Sequence, residues 1–211
     1  RDNNLFAVDI NTGKEFQYTN DASDVVYNGW AAWLYYEEIF GRQSHYRAFW
    51  WSPDGKHLAF FRFDESKVPV FPIFNADGVH GSLENTRYPK AGDPNPEVKL
   101  GVIAVPESKI VWVDFNEKND QYFGTPGWTP DGKQLIVQWM NRGQDNLKIY
   151  SVNINNGSKK EIYDEKQTAW IELEYKDRIR FWERDPGFII KSDKDGWTHL
   201  YRYSMDGKLI N

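Results

Sequence analysis

Two adjacent carboxylates, Glu37 and Glu38, lie in the run Trp33-Leu34-Tyr35-Tyr36-Glu37-Glu38-Ile39-Phe40. Four aromatic residues flank them: Trp33, Tyr35, Tyr36 and Phe40. The chemistry open to such a pair is to hold a cation. A primary ammonium offers three donors, and two ionised carboxylates have enough acceptors to take them all. The opposing reading is a Glu pair on a solvated helix face, where glutamate is ordinarily found, and spacing alone leaves both open. Glycoside hydrolysis is weaker, because its paired carboxyl groups oppose each other across a sugar at about 5–9.5 Å. The remaining reactive residues point elsewhere. His45, His57, His80 and His199 fall in strand or loop contexts with no serine partner, so each is read as structural, and no Gly-x-Ser-x-Gly elbow occurs. With no cysteine in the chain, disulfides and thiolate metal centres are excluded, and no cofactor or metal is expected.

The pair needs a helix to converge on one ligand. Neighbours in a strand point to opposite faces, whereas neighbours in a helical turn diverge by only about 100°. Ala, Leu and Glu between Trp30 and Phe40 favour such a turn, and Gly41 suits a left-handed cap just past its end. Everything around it reads as strand. Asn4 to Ile10 followed by Asn11-Thr12-Gly13-Lys14 is a strand entering a tight turn, and Asn146 to Ile154 followed by Asn155-Asn156-Gly157 repeats the phrase. His199 to Met205 followed by Asp206-Gly207-Lys208 gives it a third time. A second phrase, Trp51-Ser52-Pro53-Asp54-Gly55-Lys56, returns 77 residues later as Trp128-Thr129-Pro130-Asp131-Gly132-Lys133. Pro presets φ, Asp-Gly turns the corner, and Lys re-enters a strand.

Turn, strand, hairpin and strand, repeated, is the pattern of β-propeller blades. The expected fold is therefore all-β, with about four blades, the first lacking its opening strands. Blades take roughly 40–50 residues, so the long interval between the two Pro-Asp-Gly turns calls for an insertion. Val68 to Pro96, with five prolines and little strand periodicity, supplies it, and proline argues against a central strand there. Trp112, Trp139, Trp170 and Trp182 are read as blade-core or inter-blade packing.

Composition narrows the function classes. The chain has 211 residues, 26 Lys+Arg against 31 Asp+Glu, and 17% aromatic residues. A net charge of −5 with no basic run leaves nucleic acid without an electrostatic footprint. The longest apolar stretch, Leu100 to Pro106, is far short of the roughly 20 residues of a membrane-spanning helix. No basic-then-apolar leader opens the chain, which begins at Arg1 without Met, so a mature or excised piece is expected.

Several motifs, in order, resemble a known family. Asp24-Val25-Val26-Tyr27-Asn28-Gly29, Trp33 to Phe40, Phe49 to Gly55, Phe63 to Pro69 and Arg87 to Lys99 look like the propeller domain of the dipeptidyl peptidase IV family. The likeness is strong over about residues 1–115 and looser beyond, through Asn141-Arg142, Trp170 and Asp195-Gly196. It implies a partial N-terminal propeller over residues 1–211, about half of eight blades. The α/β-hydrolase domain that carries the family's nucleophile, acid and His lies outside this chain, as does the arginine that grips the substrate carbonyl. The implied activity is that of a serine exopeptidase releasing N-terminal dipeptides with Pro or Ala second. In it the double glutamate, here Glu37 and Glu38, binds the substrate α-ammonium, framed by Trp33, Tyr35, Tyr36 and Phe40. Residues Val70 to Pro96, with Val70, Tyr88, Pro89 and Lys90 named, would form an arm reaching a second subunit, so the parent is expected to be a homodimer. The resemblance places it in the periplasm, outside the cell or at its surface. By itself this fragment is expected to be inactive. The alternative from another class is a non-catalytic propeller serving as a protein-binding scaffold.

Overall fold

The computed structural model describes residues 1–173, 179–181 and 186–211. The strands are β1 (Phe6–Val8), β2 (Glu15–Gln17), β3 (Val26–Asn28), β4 (Phe49–Trp51), β5 (His57–Asp64), β6 (Val70–Asn75), β7 (Ser82–Arg87), β8 (Glu97–Ala104) and β9 (Ile110–Trp112). They continue as β10 (Gln121–Phe123), β11 (Gly127–Trp128), β12 (Gln134–Asn141), β13 (Asn146–Asn153), β14 (Lys159–Lys166), β15 (Ile179–Phe181), β16 (Phe188–Ser192) and β17 (His199–Tyr203). All pairings are antiparallel. The chain opens with the β1-β2 pair, followed by a sheet ordered β3-β5-β8-β9 with β4 also on β5. Next comes β10-β12-β13-β14 with β11 also on β12, and then β15-β16-β17. The architecture is all-β, as the repeats predict, with successive sheets as blades.

The two Pro-Asp-Gly phrases are structurally equivalent. Ser52 Oγ donates to Asp54 Oδ1 at 2.6 Å and accepts the His57 N–H at 2.9 Å. Thr129 Oγ1 does the same with Asp131 Oδ1 at 2.7 Å and the Gln134 N–H at 3.1 Å. Gly55 and Gly132 both take φ of 70° at the corner. In each blade the turn leads into an eight-residue strand, β5 or β12.

These central strands are apolar on both faces because a blade lies on either side. On β5, Leu58 and Phe60 pack with Leu5, Tyr18 and Ile103 toward the first blade. Ala59, Phe61 and Phe63 point the other way, into a cluster with Phe123, Leu135 and Val137 of the next. On β12 the alternation repeats: Leu135 and Val137 face back, whereas Ile136 and Met140 face forward to Phe188 and Ile190. Period-two alternation therefore joins neighbouring blades instead of separating core from solvent.

The insertion between β5 and β8 is a two-stranded ribbon. Strands β6 and β7 pair from Val70↔Arg87 to Asn75↔Ser82, including Pro72↔Asn85. A ribbon has only edge strands, so Pro72 is tolerated although strand periodicity is weak. Below it β5 and β8 pair in full register, His57↔Ala104 to Asp64↔Glu97, so the ribbon grows out of what is elsewhere a short blade turn.

The tryptophans divide. Trp139 is half-buried and donates to Gln121 Oε1 at 2.7 Å, and Trp112 stands at the blade edge against Phe60 with ring centroids 5.6 Å apart. Trp170, expected in the core, is 79% exposed. Its neighbour Ile171 takes the core position, fully buried, with its N–H on Gln144 O at 2.7 Å. Trp182 lies outside the described residues.

Candidate functional site

The helical turn is an excursion from a split strand. Strand β3 pairs with β5 at Val26↔Asp64 to Asn28↔Arg62, and β4 pairs with the same strand at Phe49↔Phe60 to Trp51↔Leu58. The two short strands thus share one lane beside β5, and residues 29–48 leave it and return. The neck is closed by backbone bonds: Gly29 N–H to Phe61 O at 2.9 Å, Ala48 N–H to Gly29 O at 3.0 Å and Ala31 N–H to Tyr46 O at 2.8 Å. Gly29 is required here, because its φ is 71° and a Cβ would stand 2.8 Å from Leu5 Cδ1. In the next blade β10 and β11 share a lane in the same way on β12, but only residues 124–126 interrupt it. One strand lane carries a site in one blade and a minor kink in the other.

Within the excursion, Tyr35–Ile39 form one π-helical turn, closed by the Phe40 N–H on Tyr35 O at 2.7 Å. It is shorter than the segment predicted between Trp30 and Phe40. The glycine stop is present, but Gly41 has φ 75° and ψ 151°, a positive-φ conformation outside the left-handed helical region, and it starts a 3₁₀ turn at Arg42–Ser44. A single wide turn in a β scaffold is the kind of local irregularity that recurs at functional sites.

The inner face of the turn anchors it. Tyr35 and Phe40 are 1% and 4% exposed and belong to the core. Tyr35 packs edge-on to Phe63 at 4.8 Å, and its hydroxyl accepts the Phe123 N–H from the next blade at 3.2 Å. Burial raises the Tyr35 phenol far above its ordinary range, so it stays neutral. Of the four aromatics expected to frame the carboxylates, these two instead lie beneath them. Trp33 and Tyr36 are half-buried, 6.1 Å apart, on the outer side. Tyr36 stacks on Tyr46 at 3.7 Å, Tyr46 stacks on Trp30 at 5.0 Å, and Trp33 meets Tyr88 at the root of the ribbon at 6.1 Å.

The carboxylates have different surroundings. Glu37 is half-buried and takes a forked contact from Arg42: Nε at 2.9 and 2.7 Å to Oε1 and Oε2, and Nη2 at 2.6 Å to Oε1. This bond holds the Glu37 carboxyl below its ordinary range. Glu38 is exposed, forms no ion pair among the described residues, and faces a cleft of about 560 Å³. Leu34, Tyr122, Met140, Trp170 and Leu173 share that cleft with it. Gln144 and the exposed Glu172 also line it, and apolar side chains beside open carboxylates suit a ligand that has a cationic end and an apolar body. Tyr122, Met140 and Trp170 come from the next blade and the segment after β14, too far along the sequence for spacing to reveal. Arg42 lies five residues beyond Glu37, outside the i+3 and i+4 spacing at which helical pairs are sought.

The ribbon leaves the molecule beside this site. Val70, Phe71, Ile73, Phe74, Leu83 and Tyr88 are exposed large hydrophobic residues along it. Lys90 covers the Phe71 ring at 4.9 Å and donates its N–H to Asp93 Oδ2 at 2.9 Å, with half-buried Pro89 between Tyr88 and Lys90. At its root, Glu65 is 3% exposed, and burial pushes its carboxyl up to about 7 against the opposing effects of Tyr27 and Arg87. Among the described residues no helix is long and apolar enough to cross a membrane, and no group of three His, Cys, Asp or Glu residues gathers as a metal site.

Comparison with known proteins agrees with this fold. The model of the dipeptidyl peptidase IV (DPP IV) N-terminal region matches residues 1–211. A dipeptidyl peptidase 4 from Trichophyton rubrum is 33% identical over 213 residues, 93% of this chain and 26% of that protein. A probable dipeptidyl-aminopeptidase B from Pyrenophora teres f. teres is 29% identical over 226 residues, 95% of this chain and 24% of the relative. The crystal structure of Porphyromonas gingivalis dipeptidyl peptidase 4 superposes with a TM-score of 0.89 at 30% identity, covering 100% of this chain and 30% of its own. The chain thus spans about a quarter of the length of these relatives.

Proposed function

Because the chain belongs to the dipeptidyl peptidase IV family through its N-terminal region, we propose that it is the substrate-gating propeller of a serine exopeptidase that releases N-terminal dipeptides. Glu37 and Glu38 anchor the substrate's α-ammonium. The observation that carries this reading is Glu38: a carboxylate with no ion pair among the described residues, at the rim of a cleft lined by apolar side chains with Gln144 and Glu172, on a turn fastened into the core through Tyr35 and Phe40. An α-amino group with a pKa of about 7.7–8.0 is mostly cationic at neutral pH. Fixing that charge at a set place fixes how far the peptide enters, so the anchor acts as a ruler for dipeptide release. The nucleophile, acid and His belong to an α/β-hydrolase domain of the parent chain, and the preference for Pro or Ala second is set there.

The ribbon is the arm of a homodimer. A two-stranded ribbon is marginal alone, and an exposed apolar face of this kind marks an interaction surface. Val70, Tyr88, Pro89 and Lys90 form its root and Phe74 and Leu83 lie further out along it. The proposed compartment is the periplasm, the exterior or the cell surface.

The test is made on the full-length protein with a chromogenic Ala-Pro anilide. Glu38→Ala is expected to raise KM at least tenfold with the melting temperature unchanged, and blocking the substrate amine by acetylation should abolish cleavage by the unaltered enzyme. Wild-type KM in a folded Glu38→Ala protein would refute the anchor. Residues 1–211 alone are expected to show no turnover.

A further inference from the structure

The loop after the helical turn is built around one contact. Gly41 reverses the chain with φ 75°, and a Cβ there would stand 2.8 Å from the Gln43 amide. His45 and Tyr46 then take φ of 50° and 62°, a left-handed conformation that residues with side chains rarely adopt. Stacking offsets that cost: the Tyr46 ring lies between Tyr36 and Trp30, at 3.7 and 5.0 Å. The Tyr46 carbonyl is tied to the Ala31 N–H at 2.8 Å. The loop is thereby clamped to the helical turn on one side and to the neck on the other. Between the clamps stands Arg42, forked onto Glu37.

The exposures of the two partners differ. The Arg42 side chain is 70% exposed and that of Glu37 is 22% exposed. The guanidinium can swing into solvent without uncovering any core, whereas Glu37 stays in place. Glu38, the adjacent residue, has no such partner among the described residues.

We propose that Arg42 is a built-in counter-ion of the amine site, which competes with the substrate's α-ammonium for Glu37. The inference rests on the reading of Glu37 and Glu38 as the amine anchor. In the resting site one carboxylate, Glu38, is open, and the other is released only when an ammonium already held by Glu38 displaces the guanidinium. Arg42 is then a specificity-determining residue: a stray cation meets only one carboxylate of the Glu37-Glu38 pair open, and only a ligand seated in the cleft remains long enough to engage both. Exposed ion pairs are weak, so the effect is modest, about two- to fivefold in KM.

The experiment uses the full-length protein with Ala-Pro p-nitroanilide, comparing Arg42→Ala, Arg42→Gln, Glu37→Gln, the Glu37→Gln/Arg42→Ala double variant and Glu38→Ala. Both Arg42 variants are expected to lower KM about two- to fivefold with kcat unchanged. The double variant should show no gain over Glu37→Gln alone, because the competitor has nothing left to cover. An unchanged KM in folded Arg42 variants overturns the inference. So does a raised KM restored by Arg42→Lys, which would make the guanidinium an orienting group for Glu37. Either result beside a Glu38→Ala loss leaves the amine anchor standing. A wild-type KM in Glu38→Ala removes the anchor itself, and the counter-ion with it.

Discussion

Glu37 and Glu38 are neighbours in sequence with unlike electrostatics, because the environment of a side chain outweighs its chemical type. Glu37 has a forked guanidinium against it, and Glu38 opens onto a cleft that it shares with apolar side chains and Glu172. Glu65 shows the same rule with the opposite sign. It is buried at the ribbon's root with its Oε1 unbonded, facing Tyr27 and Arg87. Its carboxyl titrates near 7 in the folded chain against 4.5 for an unperturbed glutamate, so between those values the folded state holds a proton that the unfolded state has lost. Stability therefore falls as pH rises from about 4.5 to about 7 and levels off above. At about 1.4 kcal/mol per pH unit the loss amounts to about 3 kcal/mol. Glu65→Gln is expected to flatten this slope and to raise stability at pH 8. Urea melts at pH 4.5 and pH 8 check it, and a slope unchanged by the substitution would assign the pH dependence to other groups.

At the scale of elements, the two insertions follow one logic: a blade keeps its ladder and extends its connections. Residues 29–48 leave between two strands that share a lane, and residues 65–96 leave between β5 and β8, whose pairing closes beneath them. Neither excursion disturbs the sheet, so each can be shaped for a task. The ribbon's task is tested by charging its exposed apolar face. Phe74→Lys with Leu83→Lys should convert the proposed full-length dimer to monomer in sedimentation, with the far-ultraviolet dichroism of the β-sheets unchanged, since both side chains are exposed. A dimer that persists at unchanged affinity would locate the subunit contact elsewhere. Both insertions were visible in the sequence as breaks in a repeat. Their shapes were not: the helical segment between Trp30 and Phe40 is α-helical at residues 33–34 and π-helical over Tyr35–Ile39, and the proline-bearing stretch pairs with itself. Local propensity distinguishes strand from non-strand, but a ribbon paired only with itself carries no alternating apolar face to read.

On the scale of the molecule, cohesion runs across blades. Phe123 on β10 is fully buried, 5.7 Å from Phe61 on β5 and 4.9 Å from Phe115, and its N–H is bound by the Tyr35 hydroxyl. The same packing that joins two blades also seats the turn carrying Glu37 and Glu38. Phe123→Ala is expected to cost about 3–5 kcal/mol and to lower a single thermal transition. A separate early transition for one blade would show that the blades fold independently. Trp128 reinforces the seam by donating to Trp50 O at 3.1 Å.

The sequence by itself determined the β-rich class, the turn at each Pro-Asp-Gly, the repeated blade and the place of the acidic pair, because all of these rest on residues within a few positions of one another. Tertiary structure alone decided which partners those residues meet. It put Tyr35 and Phe40 beneath the carboxylates, brought Arg42 to Glu37, opened Glu38 onto a cleft formed with Tyr122, Met140 and Trp170, and gave Ile171 the buried place expected for Trp170. The physical reason is that an ion pair or a cleft depends on distances through space, which the packing of one blade on the next creates and a spacing along the chain does not encode.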